Sequence, residues 1–212
     1  MQHEEKVFTS EAELRAAFGT PMALAVAKAR PMLDKYSKAF IERSPLACIA
    51  TCDERGRTDV SPRGDQPGFV LILDDRTLYL PDRPGNNRYD TLTNILKNPY
   101  VGLLFFVPGY EDMLRVNGKA TLVDNPELAA RCAVNGKQPK VGIRIAVEEA
   151  YLHCAKALRR SKIWDASTQR DRAELPSIAR MILEQSQEAL PPEPEIAHID
   201  ALVEENYRTE LY

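Results

Sequence analysis

The densest run of reactive side chains is Asp59-Val60-Ser61-Pro62-Arg63-Gly64-Asp65. A strand here ends in a hydroxyl, a guanidinium and a carboxylate, with Pro62 stiffening the exit. Arg63 has the fork geometry to meet a phosphate bidentately, and Ser61 and nearby backbone amides add donors. A charged turn between two strands would use the same residue types. A second run, Pro81-Asp82-Arg83-Pro84-Gly85-Asn86-Asn87-Arg88-Tyr89-Asp90, sets two arginines and two carboxamides before a helix. The first amides of that helix are free to face an anion. The run lacks Gly-x-x-x-x-Gly-Lys-Ser/Thr, so it is not a nucleoside-triphosphate loop of the usual kind.

Two further groups are weaker. Arg115 lies within Leu114-Arg115-Val116-Asn117-Gly118-Lys119, on the opposite face of a strand from Leu114 and Val116, aimed either into a site or at solvent. His153, Lys156, Arg160 and Trp164 recur at helical spacing, a basic face beside the single tryptophan that suits a planar anionic cofactor. A solvated basic stripe gives the same pattern. Three scattered histidines, His3, His153 and His198, support neither a metal centre nor a Ser-His-Asp or Cys-His arrangement. Chemistry must therefore come from a bound cofactor. Of the four cysteines, Cys48 and Cys52 share a strand face but stand about 13 Å apart when extended, too far to ligate one zinc. Buried, reduced thiols are expected.

The elements that must hold these groups follow from periodicity and turn residues. Ser10 with Glu13 three positions on reads as a capped helix ending at Gly19, and a second helix is expected from Pro21 to about Arg43, kinked at Pro31. Short strands are expected at Leu46–Thr51, Arg57–Val60, Phe69–Leu73, Thr77–Leu80, Val101–Val107, Met113–Val123 and Val141–Val147. Helices are expected at Tyr89–Lys97 and Pro126–Ala133, then at Glu149–Trp164, Pro176–Glu188 and Ile196–Tyr207. The links after the first and third strands are too short for parallel crossovers. A mainly β (α+β) fold is predicted, an antiparallel sheet closing into a barrel with helical extensions at both ends. The corresponding divisions are 1–43, a barrel at 44–165, and an acidic C-terminal extension at 166–212 packed on it.

Composition narrows the classes. The 212 residues are 44% hydrophobic and 28% charged, as in a folded globular chain rather than a disordered one. Net charge is −3, split into +3 over residues 1–165 and −6 over 166–212. So weakly charged a body does not suit non-specific nucleic-acid binding. No apolar run approaches the ~20 residues of a membrane span, and Met1-Gln2-His3-Glu4-Glu5-Lys6 is unlike a signal peptide, so a cytoplasmic location is expected.

Several blocks in order resemble the pyridoxamine 5′-phosphate oxidase-related flavin-binding proteins, and more narrowly their predicted flavin-nucleotide-binding branch. They are Ser44-Pro45-Leu46, Val60 to Asp65, Pro67-Gly68-Phe69, Pro81 to Arg88, Asn98-Pro99, Leu103-Leu104-Phe105, Pro108-Gly109 and Leu114 to Gly118. His153-Cys154-x-Lys156-Ala157 and Arg160-Ser161-x-x-Trp164 continue the match, which covers roughly residues 10 to 165. The resemblance implies a split β-barrel homodimer with FMN in composite sites at the subunit interface. Its cofactor-binding positions fall on Ser61 and Arg63, on Arg83, Asn86, Asn87 and Arg88, and on Arg115, Lys156, Arg160 and Trp164, the last four from either subunit of the dimer. Asn87-Arg88-Tyr89 stands where the true oxidases carry Ser-Arg-Lys, so flavin binding is implied rather than vitamin B6 oxidation.

The expected function is an FMN-dependent oxidoreductase acting on an unidentified small molecule, with transfer through flavin N5. A non-catalytic flavin carrier or sensor is the alternative, favoured by the lack of a clear acid, base or substrate clamp. A haem-binding protein with His153 as ligand is a more distant one.

Overall fold

A computed structural model describes residues 5–186 and 189–212. His3 and Glu188, the last residue of one expected helix, lie outside them. The N-terminal helix α1 spans Glu11–Phe18, and the Ser10 side chain accepts the Glu13 N–H as its sequence promises. The single kinked helix expected next is instead two, α2 (Ala23–Ala27) and α3 (Lys35–Arg43). Between them Arg30 exchanges both backbone hydrogen bonds with Ala150, and Pro31 follows at a bend. A strand edge thus takes the backbone groups that a helix would have used. Asp34 then caps α3 by accepting the Tyr36 and Ser37 amides.

Four strands follow: β1 (Leu46–Cys52), β2 (Thr58–Gly64), β3 (Leu71–Asp74) and β4 (Thr77–Pro81). Next come α4 (Asp90–Lys97), β5 (Tyr100–Phe106), β6 (Met113–Val123), α5 (Pro126–Arg131) and β7 (Gly142–His153). Helices α6 (Lys156–Ser161), α7 (Ile178–Ser186) and α8 (Glu193–Thr209) complete the order, with α7 and α8 packed on each other.

All seven strands pair antiparallel in the order β2-β1-β5-β6-β7-β4-β3. This corrects the expected split barrel. The sheet is open, with β2 and β3 as its two edges and no ladder between them among the described residues. Turn lengths dictate antiparallel neighbours, but closure depends on tilt and register, which they do not encode. The edges are built as edges: Pro62 in β2 has no N–H to offer a further strand, and β3 has four residues. The molecule is a mixed helix-and-sheet fold around this open sheet.

A second correction concerns β7. The expected helix at Glu149–Trp164 is strand as far as His153, because the alternation of Ile143, Ile145 and Val147 continues past a bulge opposite Asn117 and Gly118. Only Lys156–Ser161 is helical.

One face of the sheet carries the core. Ala47 and Ile49, Leu103 and Phe105, Leu114 and Val116, and Ile143 and Ile145 pack with Phe40 and Ile41 of α3 and Ile95 of α4. On the other face Cys48, Ala50, Leu104 and Phe106 are only half-buried. The cysteines also differ from expectation. All four are free, but Cys132 alone is buried, Cys48 and Cys52 are half-buried, and Cys154 is exposed. No helix among the described residues is long and apolar enough to cross a membrane.

Candidate functional site

The edge strand β2 alternates, so Asp59, Ser61 and Arg63 point to the same side of the sheet as their partners Thr51, Ile49 and Ala47. Being at the edge, they look past the core into a cleft of about 1380 Å³. Its opposite wall is the loop leaving β4. That loop is pinned to the start of β7 by the Asp82 amide, which donates to the Val141 carbonyl at 3.0 Å. The N-terminus of α4 and the Lys137–Val141 segment complete the lining.

Arg63 donates from Nη1 to Ser61 Oγ at 2.5 Å and to the Pro62 carbonyl at 2.9 Å. Its Nε lies 3.8 Å from Asp82 Oδ1, beyond hydrogen-bond reach. This Nε is buried with no hydrogen-bond partner, alone in that respect among the described side chains. Burial pushes the Asp82 carboxyl above the usual carboxylate range, and the nearby Arg63 charge offsets only part of this.

Arg83 is held differently. Its Nε and Nη2 both reach Asp65 Oδ2 at 2.7 Å, while Asp65 Oδ1 accepts the Gln66 amide at 2.7 Å and the Tyr212 hydroxyl at 2.8 Å. Asp65 is almost wholly buried, at 2% exposure. Burial pushes its carboxyl up, but the Gln66 amide, the Tyr212 hydroxyl and Arg83 together outweigh it and hold it below the usual range. The Arg83 guanidinium also lies 5.4 Å from the centre of the Tyr212 ring.

The loop before α4 contains two non-glycine residues in the left-handed region, Asn87 at φ 58° and Tyr89 at φ 59°. Asparagine tolerates this conformation, whereas tyrosine adopts it rarely. Local bonds support it: Asn86 Oδ1 accepts the Arg88 amide at 3.1 Å, and the Tyr89 hydroxyl donates to Asn87 Oδ1 at 3.0 Å. Thr91 donates to Asp59 Oδ2 at 2.7 Å and so ties α4 to β2. Tyr89 offers α4 no side-chain cap, which leaves the first amides of the helix open toward the cleft.

Six of the ten residues singled out in the sequence meet here: Ser61, Arg63, Arg83, Asn86, Asn87 and Arg88. The other four do not line this cleft. Arg115 lies on the half-buried face of the sheet, opposite Leu104 and Tyr151, and donates to the Tyr151 hydroxyl at 3.0 Å and to Asn117 Oδ1 at 3.2 Å. Lys156 and Arg160 are exposed on α6, and Trp164 donates from Nε1 to the Tyr110 carbonyl at 2.7 Å. His153 belongs to β7 rather than to that helix, with its ring 5.2 Å from that of Tyr151. Burial, Arg115 and Lys28 push its imidazole toward the neutral form.

Sequence reasoning passed over Asp82, Lys137, Lys140 and Tyr212, which also line the cleft. Asp82 lies inside the second run, and a carboxylate next to Arg83 was the available signal. The others are brought in by tertiary structure and carry no local motif.

A sequence profile of the family described as "Pyridoxamine 5′-phosphate oxidase" matches residues 33–154. No curated protein matches the chain. Similar solved structures include HupZ of Group A Streptococcus, 21% identical, the match covering 56% of this chain and 92% of that one with a TM-score of 0.46. General Stress Protein 26 of Bacillus anthracis is 18% identical over 54% of this chain and 88% of that one, with a TM-score of 0.43. An FMN-binding protein of Syntrophomonas wolfei is 10% identical over 68% and 96%, with a TM-score of 0.42.

Proposed function

The chain belongs to the pyridoxamine 5′-phosphate oxidase family, and from that premise we propose that its cleft holds FMN and that it is an oxidoreductase acting on a small molecule. The observation that carries this reading is Arg63, which lines the cleft and whose buried Nε has no hydrogen-bond partner. Such a group is costly unless a ligand supplies the missing acceptor, and a phosphate oxygen is the fitting one.

Arg63 and Ser61 bind the phosphate from the β2 side, and Arg83 from the loop after β4. The Asn86 and Asn87 amides, Arg88 and the open end of α4 orient it. Asp65 keeps the Arg83 fork fixed, so little order is lost on binding. Bound FMN would supply hydride or electron transfer at N5. Asp82 also lines the cleft, its carboxyl raised by burial.

The reading includes a homodimer. Cys48, Ala50, Leu104 and Phe106 form a half-buried apolar surface on the sheet, and Arg115 emerges from it. A second copy on that face would bring Arg115, Lys156, Arg160 and Trp164 toward its neighbour's cofactor, which accounts for their distance from the cleft of their own chain.

The test is the absorption spectrum of the purified protein, followed by addition of NADH or NADPH. Flavin bands that bleach and return with turnover of an acceptor support the oxidoreductase. Flavin bands without turnover support the carrier or sensor instead, and a colourless protein that takes up no FMN removes both.

A further inference from the structure

Tyr212 occupies part of the cleft just described. Its hydroxyl donates to Asp65 Oδ1 at 2.8 Å, its ring lies over the Arg83 guanidinium, and its backbone oxygen accepts from Lys137 Nζ at 2.5 Å. These contacts reach three parts of the lining: Asp65 after β2, Arg83 in the loop after β4, and Lys137 ahead of β7. Helix α8 ends at Thr209, so three residues carry the chain from the helix into the cleft, and Leu211 lines it as well.

The groups engaged are the ones an anionic ligand needs. Arg83 already gives Nε and Nη2 to Asp65, and Tyr212 covers the face of its guanidinium. The ammonium of Lys137 is taken by a main-chain oxygen. A planar aromatic ring thus rests on a cation inside a cleft proposed for a planar aromatic cofactor with an anionic arm. Each contact is a single hydrogen bond or a stacking contact, weaker than the twofold Arg83–Asp65 pair beneath it.

We propose that Tyr212 is a displaceable occupant of the Arg83 end of the cleft, yielding to ligands that combine an aromatic ring with a phosphate. The proposal rests on the FMN reading for the identity of that ligand. It makes Tyr212 a selectivity device, because a ligand lacking either part gains too little from Arg83 and the cleft walls to displace it. The affinity of the whole chain is then reduced by the fraction of molecules in which Tyr212 is in place.

Two measurements on the full chain test this. In the ligand-free protein, the rate at which phenylglyoxal modifies Arg83 is followed by mass spectrometry in wild type, Tyr212→Ala and Tyr212→Phe. FMN titrations are run on the same three proteins. Tyr212→Ala should label Arg83 several times faster and bind FMN about 10-fold more tightly, the shift that removal of an occupant filling about 90% of clefts would give. Tyr212→Phe keeps the ring and should fall between. Unchanged Arg83 labelling, or weaker FMN binding by Tyr212→Ala, overturns the proposal. If no variant binds FMN, the reading of the cofactor fails, and the labelling still decides whether Tyr212 covers Arg83.

Discussion

Arg83 and Asp65 are joined through one carboxylate oxygen: Nε and Nη2 of Arg83 both reach Asp65 Oδ2 at 2.7 Å. The pair ties the loop leaving β4 to the segment leaving β2, so both proposed phosphate-binding stretches are set at a fixed spacing before any ligand arrives.

Asp65→Asn leaves the Arg83 guanidinium in the cleft wall without its counter-charge. Because Arg83 retains some exposure, the loss of stability at neutral pH is placed at the low end for a broken buried pair, about 3 kcal/mol. The Asp65 carboxyl lies below its usual value in the folded chain. Its contribution is therefore present above the unfolded value of about 3.8 and is lost as pH falls through the lower folded value. Urea unfolding of both proteins at pH 7 and at successively lower pH should show the difference constant down to about 3.8 and narrowing as pH falls from there through the lower folded value.

Asp82→Asn has the opposite sign. Burial raises the folded value of this carboxyl above 3.8 despite Arg63, so its ionised form costs stability at neutral pH. The asparagine variant should melt higher than wild type at pH 7. The gap should begin to close as pH falls through the raised value and vanish below about 3.8, where wild-type Asp82 is protonated in both states. Thermal melts across this range check it.

Gly118 has no room for a side chain. A Cβ there would stand 2.1 Å from the Ala146 carbonyl oxygen, at the bulge where β6 and β7 change register. Gly118→Ala is expected to cost about 1–3 kcal/mol by overpacking, read from denaturant unfolding.

The homodimer reading predicts complementation. Arg63→Met damages a chain's own cleft, whereas Arg115→Met damages the partner's. Mixed and refolded in equal amounts, two poorly binding variants should recover about a quarter of wild-type FMN sites, since half the dimers are mixed and each has one intact site. Recovery of no sites places Arg115 outside the partner's cleft.

The sequence made the near half of the site legible. Alternation through Asp59, Ser61 and Arg63, and the Pro, Gly and Asn residues at 81–87, are local signals that dictate a strand edge and an irregular loop, and both form. The open sheet was not legible, because antiparallel turns are common to sheets and barrels. The end of β7 was hidden by coincidence: His153 and Lys156 fit helical spacing, yet the free edge at Ala150 pairs with Arg30 and holds the chain extended. Tyr212 and Lys137 meet across 75 positions, and no neighbouring residue announces either as part of a cleft.

FMN binding at Arg63 is the central claim, and titration of FMN into the ligand-stripped protein, followed by quenching of flavin fluorescence, tests it most directly. Wild type should saturate at one FMN per chain, and Arg63→Met, which folds without the orphaned Nε, should bind at least about 10-fold more weakly, the cost of one charge-assisted hydrogen bond. No saturable binding by wild type, or equal affinity in Arg63→Met, would contradict it.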